Sequence, residues 1–234
     1  MYNDWIDVSV PLDDGVIVWP GDPEFQRELL STTAVDGVEV SQLRMSVHTG
    51  THVDAPAHYL EGGATIGTMP IDAMVGPCVV LQIPEDVIRI DVEHLEAVDL
   101  AEGERVLLRT GNSTRGLLGR RSFVEDYTFL TPDAAAYLAR LPARCVGIDY
   151  LSVGGPGPEG VETHELLLAS GVWIIECLEL AHVAPGTYDL VCLPLRLMSA
   201  EGAPARAILQ KLGGRKEDEI DFIDDALEWA TKTG

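Results

Sequence analysis

From Leu43 onward the chain alternates: Leu43, Met45 and Val47 are apolar, while Gln42, Arg44, Ser46 and His48 are polar. A period of two is that of a strand with one wet face. Continuing the same parity puts His48, His52 and Asp54 on the polar face, with Gly50 leaving space between them. A helix would align only the two histidines, because Asp54 lies about 200° from His52 at roughly 100° per residue. Pro56 also opposes a helix, since it disfavours the α conformation at Ala55 and removes a backbone donor. His58 then falls beyond the bend, near this face but outside the strand.

Further along, Cys78 to Ile83, Arg105 to Thr110, Cys145 to Ile148, Val172 to Leu178 and Tyr188 to Leu193 are short runs, most of them rich in Val, Ile and Leu. Such runs predict buried strands. Residues 5 to 19 alternate loosely and end at the turn signal Trp19-Pro20-Gly21-Asp22-Pro23. Thr131-Pro132-Asp133 opens an Ala-rich helix with a cap, a proline at the first position and an early acid. Thr163 is read as the cap of a second short helix through Ser170, ended by Gly171, and an acidic amphipathic helix is expected from Asp221 to about Thr231. Strands dominate the first half and helices alternate later, so the expected class is mixed α/β (α+β): a single domain with a mixed β-sheet core and flanking helices. Residues 1–212 form that domain in this reading, and 213–234 an acidic helical extension.

Composition narrows the picture. Of the 234 residues, 46% are apolar, enough for one sizeable core. No apolar run is long enough to span a bilayer, and Met1-Tyr-Asn-Asp lacks the features of a signal peptide, so a cytoplasmic location is expected. Cys78, Cys145, Cys177 and Cys192 are far apart in apolar runs and read as reduced core residues. The net charge of −22 opposes both nucleic-acid phosphates and anionic lipid, so neither is an expected partner.

Candidate chemistry concentrates in one segment. His48-Thr-Gly-Thr-His52-Val-Asp54-Ala-Pro-Ala-His58 holds half of the 6 histidines and a carboxylate. Imidazole and carboxylate together suit zinc, and also manganese or iron. Glu176 sits in the apolar run Val172-Trp-Ile-Ile-Glu176-Cys-Leu, where an ionised carboxylate is costly unless a metal ion or an arginine compensates. His164, read in the first turn of its helix, is either a surface residue or a ligand kept neutral by the helix dipole. Trp19, in a loop, is either a hydrophobic anchor or the wall of a small-molecule pocket.

The pattern His48-x-Gly-Thr-His-x-Asp-x-Pro-x-His58 resembles the signature of the cyclase family of metal-dependent hydrolases, which includes bacterial kynurenine formamidases and isatin hydrolases. The Trp19-Pro-Gly-Asp turn, Gly147-Ile-Asp149-Tyr-Leu-Ser-Val, the His164 to Glu176 spacing, and Leu193-Pro-Leu through Gly202-Ala-Pro-Ala-Arg206-Ala extend the resemblance over most of the chain. It implies the swivelling β/β/α cyclase-like fold. In its formamidase-like members the positions of His48, His52 and Asp54 bind one metal, and those of Asp54, His164 and Glu176 a second. The resemblance makes His58 the acid/base and places Trp19 against the substrate. The tail after Leu212 looks additional, and the loop Gly154 to Glu162 is richer in Gly and Pro than that of the formamidases.

The expected activity is therefore amide hydrolysis with one or two divalent ions per subunit, zinc first and manganese as the alternative. The leading substrate is N-formylkynurenine, a step of tryptophan catabolism, with a cyclic amide such as isatin as the alternative. A different class is a metal-binding protein without catalysis, whose site would be closed by four protein ligands. A serine or cysteine hydrolase is disfavoured, because the Gly-x-Ser-x-Gly elbow is missing and the cysteines lie in apolar surroundings. A homo-oligomer, dimer or tetramer, is the default assembly.

Overall fold

The structure is a computed structural model and describes residues 5–96 and 100–211. In chain order its strands are β1 (Trp5–Asp7), β2 (Gln26–Ser31), β3 (Val40–Arg44), β4 (His52–Asp54), β5 (Val75–Gln82), β6 (Arg89–Ile90), β7 (Arg105–Arg109), β8 (Phe129–Leu130), β9 (Cys145–Ile148), β10 (Trp173–Glu176), β11 (Gly186–Pro194) and β12 (Gly202–Lys211). The predicted apolar runs become β5, β7, β9, β10 and β11, each within a few residues of the expected bounds. β5, β7, β9 and β10 run parallel, side by side. β11 and β12 continue antiparallel from β5, and β4 joins β10 to the first part of β12, so the sheet closes on itself.

The two faces of the sheet follow the period of two. Leu107, Cys145 and Ile175 point into one core, while Val106, Leu108, Val146, Ile148 and Ile174 point into another, against the helices Pro132–Arg140 and Pro158–Ala169. Closure leaves little room inside. A side chain at Gly147 would come within 2.6 Å of both Leu107 and Leu178. All four cysteines are free and buried, as their apolar surroundings predict. The mixed sheet with flanking helices is the expected fold class. At the helix opened by Thr131, the hydroxyl accepts from the Ala134 N–H at 3.4 Å and Pro132 takes the first position, as read from sequence.

Three expectations change. The alternation at 42–48 is not part of one strand running to Asp54. β3 ends at Arg44 and pairs only with β2, in an arm whose strand residues are exposed or half-buried, so its apolar positions do not face the core. Leu43 is 56% exposed. Between the strands the chain turns at Val47–His48, and Gly50 adopts φ +66, a left-handed conformation that favours glycine. The second helix begins at Pro158, not at Thr163, so His164 lies in its middle. Proline at the first helical position is the start signal that operated, and the Thr163 hydroxyl instead donates to Glu159 O and Leu130 O inside the helix. β12 was not among the expected strands; its first residues include Gly202 and Pro204, types that are uncommon inside strands. The helix expected from Asp221 lies outside the described residues.

Candidate metal centre

Closure of the sheet by β4 is what assembles the site. His52 stands directly opposite Glu176 on β10, and Asp54 lies two residues on. All three therefore share one face. On the other side, Gly202 of β12 faces Asp54, and a side chain there would come within 2.9 Å of the His48 ring. The missing side chain at Gly202 leaves the place that His48 occupies. His48 arrives from the turn, not from the strand, and sets its Nδ1 2.9 Å from Asp54 Oδ1.

Two of the imidazoles are oriented by backbone carbonyls. His52 Nδ1 lies 2.8 Å from Gly50 O, and His164 Nδ1 lies 2.6 Å from Gly160 O. In each ring Nδ1 is thus the donor and Nε2 is left with its lone pair. Those two Nε2 atoms meet the carboxylates: His52 Nε2 is 3.4 Å from Asp54 Oδ1 and from Glu176 Oε2, and His164 Nε2 is 3.2 Å from Glu176 Oε1. A carbonyl fixing the far nitrogen is the usual support of a metal-ligating histidine. The Gly-rich loop 154–160 serves this support, because a side chain at Gly154 would crowd both Gly160 and His164 Nδ1. Glu176 is steadied by the Val153 N–H at 2.7 Å, and β10 ends immediately after it at Cys177, whose φ of 58 is left-handed. The Thr51 hydroxyl holds that bend by donating to Cys177 O at 2.6 Å.

The charges are strongly coupled. Burial pushes the Asp54 carboxyl up, but the imidazoles of His48 and His52 hold it well below the usual range. Burial likewise opposes a charge on His52, and the Asp54 carboxylate, with help from Cys177 and Glu176, raises it well above an ordinary histidine. His164 is also raised, since Glu176 outweighs its burial. The helix dipole invoked for His164 does not apply, because the helix starts at Pro158 and the ring is beyond its first turn. For Glu176, burial and Asp54 push up while His164 and His52 bring it down, and the net shift is downward. Among the described residues Glu176 is paired with histidines and not with the arginine that its sequence context allowed.

Whether these residues fit a metal can be tested on their unused atoms. Among the described residues, four buried side-chain polar atoms lack a hydrogen-bond partner, and three of them are His48 Nε2, His52 Nε2 and Asp54 Oδ2. Buried polar atoms without partners are rare, and here they converge. Ligand atoms of His52, Asp54 and Glu176 lie within 4.8 Å of one another, and so do those of His48, Asp54 and His58. Asp54 is common to both groups. Nitrogen and carboxylate donors so arranged fit a divalent ion.

His48 and His52 both approach Asp54 Oδ1, at 2.9 and 3.4 Å, and the His58 ring stacks on His48 with centroids 4.1 Å apart. His58 is partly buried, and burial lowers its pKa, opposed by Asp54 and Glu176. A cavity of about 160 Å³ opens beside these residues, lined by Trp19, Asp22, His48, His58, Tyr59, Leu151, Ser152, His164 and Glu176. Trp19 thus stands on the wall of the cavity, held edge-on against Phe123 and Tyr127. Sequence reading missed Tyr59, whose ring stacks on His164 at 4.3 Å and meets His58 edge-on at 4.5 Å. It also missed Asp22 and Ser152. For Tyr59 and Asp22 the available signal was adjacency to singled-out residues.

The cyclase family model matches residues 6–154 of this chain. Kynurenine formamidase of Geobacillus thermodenitrificans is 38% identical over 214 residues, covering 91% of this chain and 100% of that protein. The same enzyme of Bacillus cytotoxicus is 36% identical, covering 90% and 99%. A solved structure described as a potential metal-dependent hydrolase with cyclase activity superposes with a TM-score of 0.76 at 39% identity, covering 88% and 96%. Isatin hydrolase A of Labrenzia aggregata does so with a TM-score of 0.74 at 26% identity, covering 88% and 92%. With its signature segment at the centre of the site and the match extending over most of its length, the chain belongs to the cyclase family.

Proposed function

We propose that the chain is a metal-dependent hydrolase of carbon–nitrogen bonds other than peptide bonds, arylformamidase-like, converting N-formylkynurenine to kynurenine and formate. The observation that carries this is the convergence of unpaired donor atoms of His48, His52 and Asp54 beside a cavity that also holds His58 and Trp19. The near full-length similarity to kynurenine formamidases supports the substrate class. A structural metal protein has no need of an open cavity and an extra histidine beside its ligands.

His48, His52, Asp54, His164 and Glu176 would hold the metal, with zinc favoured by the donor types and manganese as the alternative. When bound, a divalent ion supplies Lewis acidity, which lowers the pKa of water towards about 7 and polarises a carbonyl. Asp54, present in both groups of candidate ligands, would be the residue that joins them when metal is bound. His58 takes a proton from the attacking water and delivers one to the leaving nitrogen. Trp19 offers an aromatic surface to the aryl group. Isatin is the alternative substrate, supported by the isatin hydrolase among the solved structures. Dialysis against a chelator should abolish hydrolysis, and zinc or manganese should restore it, with kcat/KM on N-formylkynurenine at least about tenfold above that on isatin. Full activity without metal contradicts the reading, and a preference for isatin contradicts the substrate.

We also propose a homodimer, with the arm of β2 and β3 seated on a second copy. The arm exposes Leu29, Leu30, Val40 and Leu43, and a two-stranded sheet without a core is marginal in water. Sedimentation equilibrium should give twice the 25.3 kDa chain mass, falling towards the single mass in Leu29→Lys/Leu43→Lys. A monomeric wild type contradicts this. The cytoplasm is the proposed compartment, supported by the free cysteines.

A further inference from the structure

The turn at Trp19 places two different residues on the cavity wall, an aromatic one and the acidic Asp22. The Asp22 N–H donates to Trp19 O at 3.0 Å, and Gly21 between them has φ +100, so the backbone holds the two residues together. Asp22 differs from the other carboxylate lining the cavity. Glu176 is engaged by His52, His164 and the Val153 N–H, whereas the half-buried side chain of Asp22 has no ion pair or hydrogen bond among the described residues. No lysine or arginine lines the cavity. A ligand that brings an ammonium group to Asp22 gains a charge-assisted hydrogen bond there.

We propose that Asp22 is a specificity-determining residue, recognising an ammonium group carried by the substrate beside its aryl ring. The inference rests on the arylformamidase reading and deepens it, since the α-amino group of N-formylkynurenine is such a group and isatin has none. Asp22 acts on binding and not on proton transfer, which is the part given to His58. Its loss should therefore raise KM more than it lowers kcat.

The test is steady-state kinetics of the metal-loaded enzyme on N-formylkynurenine and on its deaminated analogue, which keeps the formamide, aryl ketone and carboxylate. Asp22→Asn should lower the ratio of kcat/KM for the amine over the deaminated compound by about tenfold or more, through KM, as expected for loss of one charge-assisted hydrogen bond. Asp22→Glu should recover part of the ratio. If Asp22→Asn changes both compounds by the same factor, or neither, the inference is overturned while the arylformamidase reading stands. If the wild type hydrolyses neither compound, the reading of the function falls and the inference with it.

Discussion

Asp54→Ala is expected to strip the chain of bound metal and to lower kcat/KM on the formamide by about 10³-fold or more, because metal Lewis acidity is worth several kcal/mol and each ~1.4 kcal/mol is tenfold. The reason lies in its position. Asp54 is fully buried, belongs to both groups of candidate ligands, and leaves Oδ2 without a partner. Alanine removes both oxygens together. It also removes the main counter-charge of His52, so some loss of stability will accompany the loss of metal. Asp54→Asn separates these effects, since it keeps the shape and a hydrogen-bond acceptor but not the charge. Metal content by atomic spectrometry should fall in both variants, with thermal unfolding showing that the asparagine protein is folded. Activity within tenfold of wild type in a folded Asp54→Asn protein would sink the claim that Asp54 joins the two halves of the site.

How much of this site was legible depends on the kind of signal each residue gives. His52 and Asp54 were placed on one face by strand parity, and β4 places them so, because two residues apart in any strand point the same way. Glu176 was conspicuous as the one carboxylate in an apolar run, which is an energetic signal independent of the fold. His48 was found by the wrong local argument. Parity counts positions and cannot register the left-handed Gly50, whose carbonyl orients His52 instead of leaving room for an ion. His164 was located in sequence but misplaced in its helix, since a threonine resembles a cap wherever it occurs and Pro158 was the stronger start signal. The strand β12 was not singled out, although its Gly202 makes the space that His48 fills. Asp22, Tyr59 and Ser152 could not be singled out. Adjacency to His58 and Trp19 was the one hint for Tyr59 and Asp22, but a role on the cavity wall depends on which elements meet there.

The second large effect concerns His58, and here the structure sharpens a question the signature segment left open. The ring stacks on His48, a candidate ligand, and one of its nitrogens lies within 4.8 Å of ligand atoms of His48 and Asp54. Proximity alone would serve either a ligand or a proton carrier. One observation separates it from the ligands. His48, His52 and His164 each set a ring nitrogen within 3.4 Å of Asp54 or Glu176, whereas His58, which lines the cavity, makes no hydrogen bond or ion pair to either carboxylate among the described residues. A group that must give and receive protons benefits from access to substrate and from a ring nitrogen not committed to a metal.

The central claim is this division of labour, with five residues holding metal and His58 moving the proton. It is tested most directly by measuring metal content and kcat together on purified His58→Ala. The account predicts metal per chain equal to wild type and a kcat lower by about 10²- to 10⁴-fold, the usual contribution of a general acid–base. A variant that loses metal in step with activity would make His58 a ligand, and one that keeps both its metal and its kcat would remove it from the chemistry; either result contradicts the account.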